Sequence, residues 1–290
     1  MLKRILLPLD GSQIAEKALP YGEELAGRLG SELVLYHVQG NEPLRGDPKA
    51  YLDRLAQTVK SSIKKSQPKG AEVIVATKVE TGEPVHNICN VVEKDKVDLI
   101  IMTAVSETGL KIGKMLGGVT DQICRTVPIP VMLVRPQHNG PIDAKGRLIN
   151  RALITLDGSP LSKLALPVVE ELASKLKIGV TLFQMTRLIR YYGDGLGGSL
   201  HEDEEKQVEG DMIKIETEMK QKGIDVTHWI TVGLDAGDEI IDMSKKTGAD
   251  LVVMSTHGRS GLGRWLIGSV AEKVLRHGET SLLLVQARAS

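Results

Sequence analysis

The feature that most constrains this chain is that it says nearly everything twice. RILLPLDGSQIAEKALP at 4–20 returns as RALITLDGSPLSKLALP at 151–167, and VDLIIMTAVSETGL at 97–110 returns as ADLVVMSTHGRSGL at 249–262. PVMLV at 130–134 has its counterpart in SLLLV at 281–285. A chain of 290 residues built this way reads as one domain duplicated, each copy long enough to bury its own core. The boundaries follow: a first domain over 1–137, a linker over 138–148 and a second domain over 149–290. The join falls in RPQHNGPIDAKGR (135–147), rich in Pro, Gly and polar residues.

Within each copy, short aliphatic runs alternate with amphipathic stretches. In the second copy the runs are 151–156, 179–185, 225–232, 250–255 and 281–285. Helical patterns fill about 160–176, 203–222, 236–247 and 269–277. Runs apolar on successive residues imply strands buried on both faces, as in a parallel sheet. The expected fold is therefore α/β: two tandem flavodoxin-like or Rossmann-like domains, each a five-stranded parallel sheet with helices on both faces. The final strands PVMLV and SLLLV would be exposed apolar edges if left alone. They are expected to pair with each other as an intramolecular pseudo-dimer, and two chains could associate further as a homodimer.

Charge excludes several functions. Lys plus Arg and Asp plus Glu are both 37, so nothing favours a nucleic-acid or membrane partner. No stretch approaches the length of an apolar membrane span, and the N-terminal apolar run meets Asp10 too soon for a signal peptide. Cys89 and Cys124 stand in no metal or redox spacing. A cytoplasmic, reduced protein is expected. With aromatics at 3%, the core must be aliphatic.

Ligands of such sheets sit beyond the carboxyl ends of the strands. Two turns meet there if strands one and four are neighbours: Asp-Gly-Ser after strand one, and the glycine-rich MSTHGRSGLGRWLIGS (254–269) after strand four. Gly258, Gly261, Gly263 and Gly268 permit positive φ and close approach to a ligand. Gly268 and Ser269 open a helix whose first amides, Val270 included, lack intrahelical acceptors, a natural phosphate site. Arg259 and Arg264 add charge. His257 either touches phosphate or ribose or simply packs the turn. Ser269 with Glu272 also fits an S-x-x-E capping box, a purely structural role. Asp10 and Asp157 are likewise either ligands or turn formers.

This spacing resembles the ATP-binding members of the universal stress protein family. Their motif is Gly, two residues, Gly, nine residues, then Gly-Ser or Gly-Thr. Here Ser255 replaces the first glycine, Gly258 is the second, nine residues follow (259–267), and Gly268-Ser269 close the motif. The resemblance implies that Asp157 and Met185 flank ribose and adenine. It implies ATP or a related adenine nucleotide as ligand, with Mg²⁺ accompanying the phosphates and no metal held by protein side chains. The first copy departs from the motif: Ser106 replaces the second glycine, Glu107 stands for Arg259, ten residues precede Gly117, and Gly118 replaces the serine. Asp10 and Val38 remain, so a degenerate site of Asp10, Val38, Gly117 and Gly118 is expected.

GDGLGG (193–198) fits G-x-G-x-x-G literally. It follows no strand directly and precedes the acidic HEDEE, so it reads as a loop, and no G-K-[ST] completes a P-loop. No side chain presents itself as a general base, so no catalytic residue is assigned. Two other functions stay open beside nucleotide binding: a scaffold whose fused halves bind a partner protein, and a slow ATPase.

Overall fold

A computed structural model describes residues 2–40, 46–66, 72–105, 116–135, 146–187, 197–257 and 267–286, with the backbone alone at 187 and 197–205. The chain divides into two compact units: Met1–Leu148 together with Glu279–Ser290, and Ile149–Gly278.

The first unit runs β1 (Arg4–Pro8), α1 (Gln13–Glu16), α2 (Leu19–Leu29), β2 (Glu32–Gln39), α3 (Pro48–Ser66), β3 (Val75–Thr81), α4 (Pro84–Lys94), β4 (Leu99–Thr103), α5 (Gly118–Thr126) and β5 (Val131–Val134). Its strands lie in the order β3-β2-β1-β4-β5 and all these pairings are parallel. The order is the Rossmann one, not the 2-1-3-4-5 of flavodoxin, and it sets strand one beside strand four. Ile5, Leu6, Leu7, Ile100 and Ile101 are fully buried. Each such side chain contributes about 1.5–3 kcal/mol by leaving water. Successive buried residues require cover on both faces, which the crossover helices supply.

The second unit runs β6 (Arg151–Leu156), a 3₁₀ turn (Ser162–Ala165), α6 (Leu166–Leu176), β7 (Gly179–Arg187), α7 (Gly197–Gln221), β8 (Val226–Gly233), α8 (Ala236–Lys246), β9 (Leu251–Ser255) and α9 (Ser269–His277). Its order is β9-β6-β7-β8, again parallel. The helix expected over 160–176 is thus split by a 3₁₀ turn ahead of Pro167, which takes an early helical position where its missing N–H costs nothing. The GDGLGG stretch is only partly described. Gly197 and Gly198 belong to α7, so the loop expected there gives way to helix by residue 197.

The remaining strand is β10 (Ser281–Val285), which the sequence reading expects to pair with β5. It belongs to the first compact unit. It runs antiparallel to β5, with Leu282 opposite Leu133, Leu283 opposite Met132 and Leu284 opposite Val131. Val131–Val134 and Ser281–Val285 are buried throughout. Gln286 adds a side-chain bond to the carbonyl of Cys124 at 2.6 Å. Cys89 and Cys124 are free thiols. No helix among the described residues is long and apolar enough to cross a membrane.

Candidate functional site

In the second unit, the carboxyl ends of β6, β7 and β9 and the starts of α8 and α9 surround a cavity of about 380 Å³. Each wall has a local cause. After β6 the chain must turn at once, and Gly158 does so at φ 82, a conformation that favours glycine. Asp157 Oδ1 accepts the Ser159 N–H at 2.9 Å, closing an Asx turn. The Ser162 N–H donates to Ser159 Oγ at 3.2 Å, and Ser162 Oγ donates to the Ser159 carbonyl at 2.9 Å. Asp157 therefore is a turn former, and it also lines the cavity. The two roles are compatible in one carboxylate.

On β7, alternation points Phe183 and Met185 to the same face, and both line the cavity. Across from them lie Ala236 and Ile240 of α8. That helix is capped by Asp235, whose carboxylate accepts the N–H groups of Gly237 at 2.9 Å and Asp238 at 3.1 Å. The Asp238 amide and the Lys273 ammonium hold the Asp235 carboxyl below its ordinary range. Lys273 of α9 reaches Asp238 at 2.7 Å and Asp235 at 3.1 Å, tying the two lining helices together.

β9 ends at Met254 and Ser255, and Thr256 and His257 continue the wall. His257 donates its N–H to Ser255 Oγ at 3.4 Å, and its Nδ1 lies 3.0 Å from Thr256 Oγ1. The Gly268 N–H donates to the Thr256 carbonyl at 2.8 Å. A Cβ on Gly268 would stand 3.3 Å from that carbonyl oxygen, tighter than side chains normally accept. Gly268 has φ −60, so close approach rather than positive φ is what its lack of a side chain provides.

Gly268, not Ser269, is the N-cap of α9. Ser269 is already the first helical residue, and the Glu272 carboxylate bonds Arg276 Nε at 2.6 Å. The capping box that the sequence allowed as an alternative is therefore not formed. Ser269 and Val270 line the cavity at a helix start with no side-chain cap. Such a start presents its first amides to whatever lies in front of it. Gly258, Arg259, Gly261, Gly263 and Arg264 lie outside the described residues.

Of the residues expected from sequence, the structure brings Asp157, Met185, Ser255, His257, Gly268, Ser269 and Val270 to one cavity. The sequence reading missed Phe183, Ser162, Ala236 and Ile240. Phe183 was within reach, since it lies two residues before Met185 on the same strand face.

The first unit repeats this arrangement on a smaller scale, in a cavity of about 190 Å³. Gly11 turns at φ 84, and Asp10 Oδ1 accepts the Ser12 N–H at 2.9 Å. Ser12 Oγ in turn caps α1 through the Ala15 N–H at 3.1 Å. Tyr36 and Val38 stand where Phe183 and Met185 do, and Pro84 and Ile88 where Ala236 and Ile240 do. Gly117 caps α5 and donates to the Ala104 carbonyl at 3.3 Å. Thr120 Oγ1 donates to the Thr103 carbonyl at 3.1 Å. Val105 occupies the position of His257 and forms a β-bridge with Leu116. All four residues expected in a degenerate site, Asp10, Val38, Gly117 and Gly118, line this cavity. Tyr36 donates its hydroxyl to Glu80 Oε2 at 2.7 Å, and burial together with that carboxylate raises the phenol above its ordinary pKa.

Comparison with known proteins places both halves in one family. The sequence profile of the Universal stress protein family matches residues 1–135 and again 149–286. Universal stress protein Slr1230 of Synechocystis is 24% identical over 303 residues, covering 95% of this chain and 96% of its own. Universal stress protein MJ0531 of Methanocaldococcus jannaschii is 27% identical over 142 residues, 47% of this chain and 83% of its own. Among solved structures, a universal stress protein from Archaeoglobus fulgidus superposes with a TM-score of 0.66 at 20% identity, over 99% of each chain. The functionally unknown protein PA1789 of Pseudomonas aeruginosa gives 0.74 at 20% identity, over 98% of this chain and 92% of that one. These likenesses at low identity speak for the fold, and the profile matches cover the duplicated Asp-Gly-Ser turns and both final strands. The chain belongs to the universal stress protein family and carries that family's module twice.

Proposed function

We propose that the second module binds ATP or a closely related adenine nucleotide, and that the protein acts as a nucleotide-responsive regulator in a stress response. The observation that carries this reading is the cavity of about 380 Å³ into which α9 opens at Gly268 and Ser269. Its volume lies in the range of small-molecule sites, roughly 300–1,000 Å³. Phe183, Met185 and Ile240 offer an apolar slot for a base. Asp157 stands at the end of β6, where a sugar hydroxyl would find an acceptor. The α9 amides and dipole favour a phosphate, and the bare Cα of Gly268 leaves room for it. The sequence adds Arg259 and Arg264 in the adjoining loop. Mg²⁺ would enter with the phosphates and be held chiefly by their oxygens. A cytoplasmic location accords with this ligand and with two free thiols.

Calorimetric titration of the full chain with ATP and Mg²⁺ tests the proposal. One saturable site per chain is expected. Two equal sites would overturn the asymmetry between the modules, and no saturable site would leave the partner-binding scaffold as the better reading. Release of phosphate during the titration would identify the slow ATPase.

A further inference from the structure

The outer strands of the two modules are finished differently. β3 ends the strand order of the first unit and β8 that of the second. Among the described residues, β3 pairs with β2 alone and β8 with β7 alone. Each presents a row of backbone groups outward, and such a row pairs readily with another strand. β3 is protected by charge. Lys78, opposite Tyr36 in the register, bridges Glu80 and Asp95, and Lys49 of α3 donates to Thr77 Oγ1 at 2.8 Å. Charged side chains of this kind oppose a second strand. At the place of Lys78, β8 has Trp229, opposite Phe183. The stretch VTHWITV (226–232) contains no Lys, Arg, Asp, Glu or Pro. Trp229 is 55% exposed and Val232 46%, and Leu234, just beyond the strand, is 85% exposed. Ile213 of α7 is exposed as well. It lies one turn before Glu216, which bonds His228, so the apolar strip continues from the strand onto the helix that covers it.

We infer that β8 is a homodimerisation edge, through which two copies of this chain join antiparallel across a two-fold axis at Trp229. The strand is made to meet itself. Outward from Trp229 it reads nearly the same in both directions: Val226 matches Val232 and Thr227 matches Thr231, with His228 and Ile230 the one unlike pair. The backbone agrees with that register. The Val180 N–H donates to the Asp225 carbonyl at 2.8 Å, and Val180 lies opposite Val226. Residues 225, 227, 229 and 231 therefore turn their backbone groups toward β7, and 226, 228, 230 and 232 turn theirs outward. A two-fold at Trp229 joins outward residues only, 226 to 232 and 228 to 230. Trp229 then falls in a non-hydrogen-bonded pair with its own copy, where side chains come closest and an aromatic pair stabilises most. A two-fold at His228 or Ile230 also matches outward groups, but it sets Trp229 against threonine. The surface is self-complementary, as a closed two-fold contact requires. β5 and β10 already pair with each other, which leaves β8 as the unprotected edge among the described strands.

Sedimentation velocity of the full chain over a concentration series tests this. A dimer of the 31.5 kDa chain is expected at micromolar concentration. Trp229→Lys gives β8 the residue that β3 carries at the same place. It is expected to weaken the dimer at least tenfold while circular dichroism and melting stay close to those of the parent. Val232→Lys, at the second exposed position of the strand, should do the same, and it decides the matter if Trp229→Lys does not fold. The register is read by Trp229→Cys. Residues in a non-hydrogen-bonded antiparallel pair stand about 4.5 Å apart at Cα, within reach of a disulfide. With oxidised glutathione as the oxidant, this variant is expected to form a linked dimer much faster than the parent, which has Cys89 and Cys124 alone. A parent that stays monomeric, a dimer that neither lysine variant weakens, or a Trp229→Cys chain that links no faster than the parent would each overturn the inference. None of these measurements involves a nucleotide, so the dimer edge and the function proposed for the second module can fail independently.

Discussion

The two modules share a backbone and differ in what they line it with. In both, an Asp-Gly-Ser turn follows the first strand, with a left-handed glycine at φ 84 in one and φ 82 in the other. In both, the glycine that caps the last helix donates its N–H to the residue two beyond the fourth strand's penultimate position, Ala104 or Thr256. These backbone bonds fix the site's frame, because a buried N–H without a partner costs about 1–3 kcal/mol. The side chains on that frame were free to change. Tyr36 corresponds to Phe183, Pro84 to Ala236, Val105 to His257 and Gly118 to Ser269, and the cavity is about 190 Å³ in the first module against about 380 Å³ in the second. Duplication kept the scaffold where backbone geometry demanded it and let the side chains lining the cavity diverge.

The largest effect should come from Gly268→Val. Its Cβ would sit 3.3 Å from the Thr256 carbonyl oxygen, and the branched side chain would crowd the mouth of α9. Overpacking of this kind typically costs about 1–3 kcal/mol of stability. ATP binding should fall at least a hundredfold, since the space in front of the α9 amides is lost. At Gly118 of the first module an added Cβ meets nothing within 4 Å. Gly118→Val should therefore leave ATP binding unchanged and shift stability far less. Thermal melts and calorimetry on both variants check this pair. Equal losses of affinity would show that both modules share one nucleotide site's duties, against the asymmetry drawn here.

A middle-sized effect separates the α9 start from a plain helix cap. Ser269→Ala should weaken ATP by about 1–2 kcal/mol, the scale of one hydrogen bond to a charged group. Stability should move by no more than about 0.5 kcal/mol, because Gly268 holds the cap position and Ser269 is already helical. A fall in melting temperature with unchanged affinity would return Ser269 to a structural role. Gly118→Ser places the hydroxyl in the first module, and it should create no ATP site there. The smaller cavity and the Val105 wall remain in its way.

Much of this arrangement was legible in the sequence, and the exceptions have physical reasons. The repeats and the aliphatic runs located every strand of the second module to within two residues at either end, because strands buried on both faces leave a nearly continuous apolar signature. The Asp-Gly-Ser turn was legible because only glycine takes φ near +80 comfortably. The sequence left the capping-box alternative for Ser269 open, because S-x-x-E fits a cap equally well one residue earlier or later, and only the Gly268 backbone angles remove it. Ile240 and Ala236 were invisible as site residues, since helical periodicity tells which face is buried but not which cavity it meets. The pairing of β5 with β10 follows from two bare apolar edges, but neither its antiparallel direction nor the grouping of Glu279–Ser290 with the first unit leaves a local pattern.

The smallest effect tests the pair Tyr36 and Phe183, which differ by one hydroxyl. Tyr36 is fully buried at its ring and donates to Glu80 Oε2 at 2.7 Å, while Lys78 bridges Glu80 at 3.2 Å and Asp95 at 2.8 Å. Tyr36→Phe would remove one hydrogen bond to a part-exposed carboxylate, and a loss of about 1 kcal/mol is expected near neutral pH. The Tyr36 hydroxyl is the foremost cause holding the Glu80 carboxyl below its ordinary pKa of 4.5, with Lys78 assisting. A carboxyl lowered in the folded state contributes stability that is present above its unfolded pKa and is lost as pH falls through the folded one. The penalty of Tyr36→Phe should therefore be constant above about pH 5 and shrink on further acidification, as protonation of Glu80 removes the advantage from the parent too. Denaturant midpoints measured for both proteins across that range supply the test. A penalty that stays the same in acid would mean that ring packing, not the bond to Glu80, is what the hydroxyl supports. The same hydroxyl placed in the second module by Phe183→Tyr would have no carboxylate to meet, because Thr231 stands where Glu80 does in the strand register. That variant should therefore lose stability at every pH, by an amount that acid does not relieve.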